Sequence, residues 1–231
     1  SAASDVYKRQ GRPGDVDVVT QVAGLHVPSF ASWASLSGKC LKIAVNNGYC
    51  FAGNAALFGS SDFKIATKNS WIGMAGPAMI EGGGLGKFSP EEIGPIEVHK
   101  TNGVVDVVVD DEKEATLCAK KLLSYFQGRK TNYKENNQET LKEILPDDRR
   151  YSYEVREIIE TIADKDSFFE VKKEYGRSVL TGFIRIEGYP IAVLASDCKH
   201  LGGAIDSEAS DKAADFLNIC SDKLIPITSF V

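Results

Sequence analysis

The chain has 231 residues, 43% of them hydrophobic and 26% charged, and its formal net charge is −5. This composition is ordinary for a globular protein with a sizeable core, and the lack of a basic stripe in the sequence argues against nucleic acid as a partner. No apolar run in the sequence approaches the roughly 20 residues that a membrane-spanning helix needs, so we expect no membrane partner.

Both ends of the sequence indicate a truncated reading frame. Residues 5–10 (DVYKRQ) resemble the translation of a transposon-end adaptor used in sequencing libraries, so we interpret residues 1–10 as an artefactual leader. At the other end, the apolar run 226–231 (PITSFV) stops without a cap, turn or tail. We therefore expect a reading frame that is truncated at both ends.

The first half of the sequence alternates short apolar runs with polar or glycine-containing turns. The predicted strands are 41–45, 63–67, 71–74 and 104–109, with turns at 46–48 and 68–70. The small residues of 52–59 predict a helix, and the run 81–86 (EGGGLG) predicts a flexible loop. Residues 15–34 show no clear pattern.

Two capping boxes predict helix starts at Ser89 and at Asp111. The second of these helices ends at Gly128, and its predicted buried face consists of Ala115, Cys118, Leu122 and Tyr125.

The second half begins with a polar, charged stretch, 129–150, which predicts a linker. A helix over 153–163 follows, and then a hairpin of strands 178–186 and 189–195 around Glu187 and Gly188. A further helix opens at 206–210, and a strand is predicted over 224–231. The buried face of that helix is predicted to be Ala213, Phe216, Leu217 and Cys220. Strands alternating with helices on both sides of the linker predict an α/β fold.

Side chains give little indication of catalysis or metal binding. The histidines His26, His99 and His200 lie in no catalytic motif, and the five cysteines are widely spaced without a CxxC pair, so we expect no metal site. The acidic cluster 110–112 lies where a helix N-terminus favours negative charge.

Two small-residue segments instead suit main-chain chemistry. These are 48–55 (GYCFAGNA) and 73–77 (GMAGP), the second leading into glycines 82–84. Glycine and alanine allow a ligand to approach the backbone, where N–H groups can stabilise the enolate of a thioester. Tight turns without a ligand would explain the same residues, so this pattern alone leaves both readings open.

Together these segments resemble the carboxyltransferase component of biotin-dependent acyl-CoA carboxylases, of the acetyl-CoA and propionyl-CoA carboxylase family. The resemblance rests on 45–62 (VNNGYCFAGNAALFGSSD), on 72–95 (IGMAGPAMIEGGGLGKFSPEEIGP) and on 153–170 with 201–214. The first run departs from the family pattern, since FAGN at 51–54 stands where Ala-Gly-Gly-Ala is usual.

This resemblance implies a crotonase-like spiral of ββα units in two related domains, both incomplete. Residues 11–135 would be the C-terminal part of the acyl-CoA domain, 136–150 a linker, and 151–231 the start of the second domain. The backbone amides of Ala52 and Gly53 would hold the thioester oxygen. The residues implied to line the acyl-CoA pocket are Cys50, Phe51, Asn54, Gly76, Pro77 and Gly83.

The implied reaction transfers CO2 from carboxybiotin to the α-carbon of acetyl-CoA or propionyl-CoA through a thioester enolate. Biotin would arrive on a separate carrier domain, and no metal is expected in this domain. The implied partners are the biotin carboxyl carrier and biotin carboxylase, together with further copies of the chain in a dimer-based assembly or a hexamer. The implied location is the cytoplasm, or the mitochondrial matrix in a eukaryote.

Three alternatives remain open. A biotin-dependent acyl-CoA decarboxylase subunit would share the fold, because the transfer is reversible. A crotonase-like hydratase would need paired catalytic glutamates, and Glu81 lacks a partner at a clear spacing. A non-catalytic CoA-binding fragment is the third alternative. The expected truncation predicts that the chain by itself is inactive or nearly so.

Overall fold

A computed structural model describes residues 28–146, 148 and 151–231 of the chain. The proposed leader 1–10 and His26 lie outside the described residues. The chain divides into two compact units, Ser1–Ala119 and Lys120–Val231. The predicted domain boundaries at 135 and 151 stay a prediction.

The first unit contains short helices and a parallel sheet. Its helices are α1 Pro28–Ala34, α2 Gly53–Gly59, α3 Pro77–Gly82 and α4 Ile96–His99, with a 3-10 turn at Pro90–Glu92. Its strands are β1 Ile43–Phe51, β2 Phe63–Gly73 and β3 Val107–Val109. Helix α5, Glu112–Ser124, starts in this unit and continues into the second.

The three strands form a parallel sheet in the order β1-β2-β3. The predicted turns at 46–48 and 68–70 are wrong, because both segments lie inside long strands. The register passes from Asn46 opposite Ala66 to Gly48 opposite Ser70, so β2 contains extra residues that form a bulge. Polar residues such as Lys68 and Ser70 therefore mark an irregularity in pairing rather than a reversal of the chain.

The sheet packs on a small hydrophobic core. Its buried members are Cys50, Ala55, Phe58, Ala66, Ile72, Ile96 and Val105. These residues come from β1, α2, β2 and α4, together with the segment before β3, so α2 and α4 are fixed against the sheet by apolar contacts.

The helix starts and the loop predicted for the first unit are only partly confirmed. The capping box of Ser89 and Glu92 is present, but the helix it starts is a single 3-10 turn. Part of the predicted loop 81–86 is helical, because α3 extends to Gly82. Asp111 accepts a hydrogen bond from the N–H of Glu114, which confirms the predicted start of α5.

The second unit combines helices with a mixed sheet in the order β4-β5-β6-β7. Its helices are α6 Leu141–Ile144, α7 Val155–Ile162 and α8 Ser207–Asp222, with 3-10 turns at Gln138–Thr140 and Leu201–Gly203. Its strands are β4 Phe169–Val171, β5 Val179–Ile186, β6 Tyr189–Ser196 and β7 Ile227–Phe230. Strand β7 pairs parallel with β6, whereas the other neighbours are antiparallel.

The predicted hairpin is confirmed. Glu187 and Gly188, the two loop residues, have φ angles of 50° and 79°, as a tight hairpin turn of this type requires. A side chain at position 188 would also collide with the chain, since a Cβ there would lie 1.9 Å from the carbonyl oxygen of Lys130. Both constraints favour glycine.

The predicted face of α8 is partly wrong. Phe216 and Cys220 are buried as predicted, but Ala213 and Leu217 are only half-buried. The buried face instead includes Ala209 and Lys212. A lysine can occupy such a position when its ammonium group meets an acceptor, and Lys212 donates to the carbonyl of Tyr175 at 2.9 Å.

The predicted buried face of α5 is largely confirmed. Ala115, Leu122 and Tyr125 are buried, and Cys118 is half-buried. The helix itself ends at Ser124 rather than at Gly128. Within the described residues, no helix has both the length and the apolar character required to cross a lipid bilayer.

Candidate functional site

The junction between β1 and α2 has a strained backbone. Ala52 connects the two elements with φ 52° and ψ −122°, a conformation that L-residues other than glycine rarely adopt. Its N–H donates to the carbonyl of Gly73 at 2.9 Å, which ties the junction to the end of β2. Ala52 therefore fixes a sharp change in direction between the strand and the helix.

The start of α2 offers main-chain donors. Ala52 occupies the N-cap position, and its methyl side chain makes no capping hydrogen bond. The carbonyl of Ala52 accepts the N–H of Ala56, so the helical hydrogen bonds begin there. The N–H groups of Gly53, Asn54 and Ala55 precede this bond and have no acceptor within the helix.

Gly53 is closely packed on its other side. A Cβ built on Gly53 would lie 2.8 Å from the tip of the Phe30 ring, which α1 holds over the junction. Trp33, on the same helix, donates from its ring nitrogen to the carbonyl of Leu57 at 3.1 Å. Helix α1 is therefore fixed to α2 at two points.

A second set of small residues packs around Phe51. Phe51 lies opposite Gly73 in the β1–β2 register. A Cβ on Gly73 would lie 3.5 Å from the Phe51 ring and 2.9 Å from Ile93, and a Cβ on Gly76 would lie 3.4 Å from the Phe51 ring. The short side chains of the 73–77 segment therefore allow it to lie directly against β1.

A cavity of about 370 Å³ lies beside α2 in the first unit. It is bounded by β1, α2 and Trp33, and its lining includes Cys50 and Asn54. The full lining is Trp33, Ile43, Ala44, Val45, Asn46, Cys50, Asn54, Leu57, Phe58 and Ser61. This volume is within the usual range for small-molecule sites.

The residues implied by the family resemblance form two groups in the structure. Cys50 and Asn54 line the cavity, whereas Phe51 packs against Gly76. Neighbouring residues of a strand point to opposite faces, so Cys50 and Phe51 cannot share one wall. Pro77 begins α3, next to Gly76.

Gly83 lies apart from both groups. It is exposed at the C-terminal end of α3. The substrate-binding roles of all these residues stay predictions.

The cavity lining carries no charged side chain among the residues that the structure describes. Burial raises the pKa of the Cys50 thiol to about 11, so this sulfur is protonated at neutral pH and is a poor nucleophile. Asn46 is buried, and its side-chain oxygen meets no donor among the described residues. The uncharged lining therefore suits an uncharged, mostly apolar group rather than a phosphate.

A titratable pair lies on the Phe51 side of β1. The Tyr49 hydroxyl donates to Glu91, and this hydrogen bond raises the pKa of Tyr49 and lowers the pKa of Glu91. The Tyr49 ring also lies 5.8 Å from that of Phe51 and 5.0 Å from that of Trp71. The ionised Glu91 is thus held at the edge of an aromatic cluster, where it has a structural role.

Sequence reasoning missed three residues of this region. Phe30 and Trp33 lie in α1, and the proline at its first position was the only helix signal in that segment. Asn46 was assigned to a turn, which concealed its place in the cavity wall. Among the described residues, no group of three or more histidine, cysteine, aspartate or glutamate side chains could hold a metal ion.

The fold and the site define a class of protein. A parallel β-strand enters a short helix through a strained turn, the helix start exposes main-chain donors, and an uncharged cavity adjoins it. Such an arrangement polarises a neutral carbonyl by backbone hydrogen bonds. The class is that of α/β proteins in which main-chain N–H groups at a helix start are placed to stabilise an oxyanion.

Comparison with known proteins identifies the family. Residues 14–231 match the model of the carboxyl transferase domain. The chain is 32% identical over 211 residues to the methylmalonyl-CoA carboxyltransferase 12S subunit of Propionibacterium freudenreichii subsp. shermanii, covering 87% of this chain and 40% of that subunit.

Solved structures agree with this match. A single-chain, multi-domain long-chain acyl-CoA carboxylase superposes with a TM-score of 0.89 at 44% identity, covering 96% of this chain and 23% of that one. The hexameric transcarboxylase 12S superposes with a TM-score of 0.77 at 32% identity, covering 87% of this chain and 41% of that one.

The chain belongs to the carboxyl transferase domain family, and its α/β fold is the crotonase-like fold of that family. It spans about 40% of the length of the curated relative described above.

Proposed function

We propose that the protein containing this chain is the carboxyltransferase of a biotin-dependent acyl-CoA carboxylase. It would transfer a carboxyl group to the α-carbon of a short acyl-CoA, acetyl-CoA or propionyl-CoA. The observation that carries the proposal is the strained, uncapped junction at Ala52 and Gly53, because it leaves main-chain donors at the start of α2. Membership of the carboxyl transferase domain family supports the assignment of these donors to the carboxyl transfer reaction.

The chemistry of the junction follows from its donors. The thioester oxygen of the acyl-CoA would accept a hydrogen bond from the N–H of Gly53, and negative charge grows on this oxygen as the α-proton leaves. One such donor is typically worth about 3–4 kcal/mol in the transition state. The N–H of Ala52 donates to the carbonyl of Gly73, so in this proposal Ala52 gives no second donor and instead sets the direction of the Gly53 N–H.

Biotin enters the proposal as a group carried by another protein or domain. When carboxylated, it supplies the carboxyl group for the transfer. Among the described residues, the donors at the start of α2 are assigned to the thioester, and we identify no second donor set for the ureido oxygen of biotin.

The proposed partners follow from the relatives. One is called the 12S subunit of a carboxyltransferase, and its solved counterpart is described as a hexamer forming the core of a multienzyme complex. We propose that this chain likewise works in a dimer-based or hexameric assembly with a biotin carrier and a biotin carboxylase. The proposed location is the cytoplasm, or the mitochondrial matrix in a eukaryote.

Ligand-dependent stability tests the proposal. The chain is unfolded thermally with acetyl-CoA, propionyl-CoA or free CoA, and a long-chain acyl-CoA is included because the 44% identical structure is a long-chain acyl-CoA carboxylase. A ligand at 100 times its Kd adds about 2.7 kcal/mol of apparent stability. We expect acetyl-CoA and propionyl-CoA to stabilise more than free CoA. Equal stabilisation by free CoA and every acyl-CoA would refute the assignment of the junction to a thioester.

A further inference from the structure

The end of β2 that supports the Ala52 junction extends past the neighbouring strand β3. Strand β3 pairs with residues 65–67 of β2, whereas β2 continues to Gly73. The carbonyl of Gly73 faces β1, where it accepts the N–H of Ala52 at 2.9 Å. Neighbouring residues of a strand direct their main-chain groups to opposite edges, so those of Ile72 face away from β1, beyond the reach of β3.

The segment 94–99 provides hydrogen-bond partners for Ile72 instead. The N–H of Ile72 donates to the carbonyl of Gly94 at 2.8 Å. The carbonyl of Ile72 lies 2.7 Å from Nε2 of His99, the last residue of α4. A carbonyl oxygen can only accept a hydrogen bond, so Nε2 carries the hydrogen and donates it. The imidazole of His99 therefore takes the place of a strand partner at this edge.

Neighbouring residues fix the His99 ring in this position. Its Nδ1 lies 3.4 Å from the side-chain nitrogen of Asn102, whose side-chain oxygen accepts the N–H of Val104 at 3.1 Å. The Asn102 amide thus presents a donor to Nδ1, which accepts when Nε2 carries the hydrogen. Gly94 leaves space for the contact, because its φ is 55° and a Cβ there would lie 1.8 Å from the carbonyl oxygen of Ile72. The surroundings therefore set both the tautomer and the position of the ring.

These contacts form a continuous path to the donor at the start of α2. His99 holds the carbonyl of Ile72, and the carbonyl of the next residue holds the N–H of Ala52. The strained backbone of Ala52 persists only where its surroundings hold it. We propose that His99 is a positioning residue for carboxyl transfer, which fixes the end of β2 and so keeps the N–H of Gly53 directed at the thioester oxygen. This inference rests on the function proposed above.

Two substitutions at His99 separate its hydrogen bond from its packing. His99→Leu keeps an apolar side chain against the end of β2 and removes the donor. His99→Gln retains an amide N–H group that can reach the carbonyl of Ile72 in place of Nε2. His200→Leu makes the same change at a half-buried histidine of the second unit and is the matched control.

The first measurement is the preference of the full chain for a thioester. It is the ratio of the Kd of S-ethyl-CoA, a thioether without the thioester oxygen, to the Kd of acetyl-CoA, both measured by calorimetry. We expect His99→Leu to reduce this ratio about threefold to tenfold, the effect of misplacing one neutral hydrogen bond. His99→Gln should restore most of the preference, and His200→Leu should leave it unchanged. A merely structural role would weaken the binding of both ligands equally and would not move the ratio.

The second measurement needs no ligand. Hydrogen exchange of the main-chain amides is followed by ¹H–¹⁵N NMR. We expect His99→Leu to accelerate exchange at Ala52 relative to Ile65, which lies in the paired part of β2, whereas His99→Gln should not. General destabilisation would accelerate exchange at both amides alike.

Either of two results would overturn the positioning role. One is a thioester preference in His99→Leu equal to that of the unchanged chain, and the other is exchange at Ala52 that rises no more than exchange at Ile65. An unchanged chain that shows no thioester preference would contradict the proposed function instead. Exchange at Ala52 would then still decide whether His99 fixes the junction.

Discussion

Replacing Ala52 with glycine should stabilise the first unit, because Ala52 has a backbone conformation that suits glycine. A non-glycine residue in such a region costs about 1–3 kcal/mol. Glycine also lowers the free energy of unfolding by about 0.4–1 kcal/mol, because it gives the unfolded chain more conformational freedom. Ala52→Gly should therefore raise the free energy of unfolding by about 0.5–2 kcal/mol, the difference between these two effects.

The assay is urea unfolding followed by tryptophan fluorescence. The chain has two tryptophans, Trp33 and Trp71, and both lie in the first unit. Ala56→Gly is the matched control, since it makes the same chemical change inside α2, where it should destabilise by about 0.5–1 kcal/mol. If Ala52→Gly destabilised the unit as much as the control does, the strain assigned to Ala52 would be wrong.

Three further predictions concern close packing and buried charge. Gly53→Ala should destabilise the first unit because its methyl group meets Phe30, and adding Phe30→Ala should recover part of that loss in a double-mutant cycle. Arg156→Met should cost about 3–5 kcal/mol, because it leaves the fully buried carboxylate of Asp197 without its arginine partner. Burial lowers the pKa of Lys212 to about 8, so the unfolded chain binds its proton more tightly between pH 8 and pH 10.5, and the stability of the chain relative to a Lys212→Met variant should rise with pH over that window.

These three predictions have their own controls. For the cycle, Phe30→Ala alone gives the cost of removing the ring, and purely additive effects would contradict the proposed contact. For Arg156, circular dichroism reports on the second unit, and Lys199→Met, which removes an exposed partner of the same network, should have a small effect. For Lys212, the two buried cysteines titrate alike in both proteins, so a stability difference between the chain and Lys212→Met that stays constant with pH would show that this lysine does not titrate there.

The sequence alone predicted an element correctly where a single local rule determines its structure. The hairpin at Glu187 and Gly188 was predictable because few residue pairs accept two positive φ angles. The start of α5 was predictable because Asp111 caps it through its own side chain. The long parallel strand β1 was not, since its asparagines and glycine look like a turn until β2 provides the pairing partner.

The candidate site likewise has features that the sequence reveals and features that only the folded chain reveals. The small residues around Ala52 and Gly53 are visible in the sequence, so the region was found. The strain at Ala52 and the contact of Gly53 with Phe30 depend on segments that meet only in the folded unit. Cys50 and Phe51 were assigned to one pocket, although the alternation of side chains along a strand should have separated them.

The most direct test of the account compares two ligands that differ only at the thioester oxygen. Acetyl-CoA has this oxygen, and S-ethyl-CoA, its thioether analogue, lacks it. We measure the affinity of both by calorimetry and follow the Gly53 amide by ¹H–¹⁵N NMR. The account predicts tighter binding of acetyl-CoA and a downfield shift of the Gly53 amide proton with that ligand alone. Equal affinities with an unmoved Gly53 amide would contradict it.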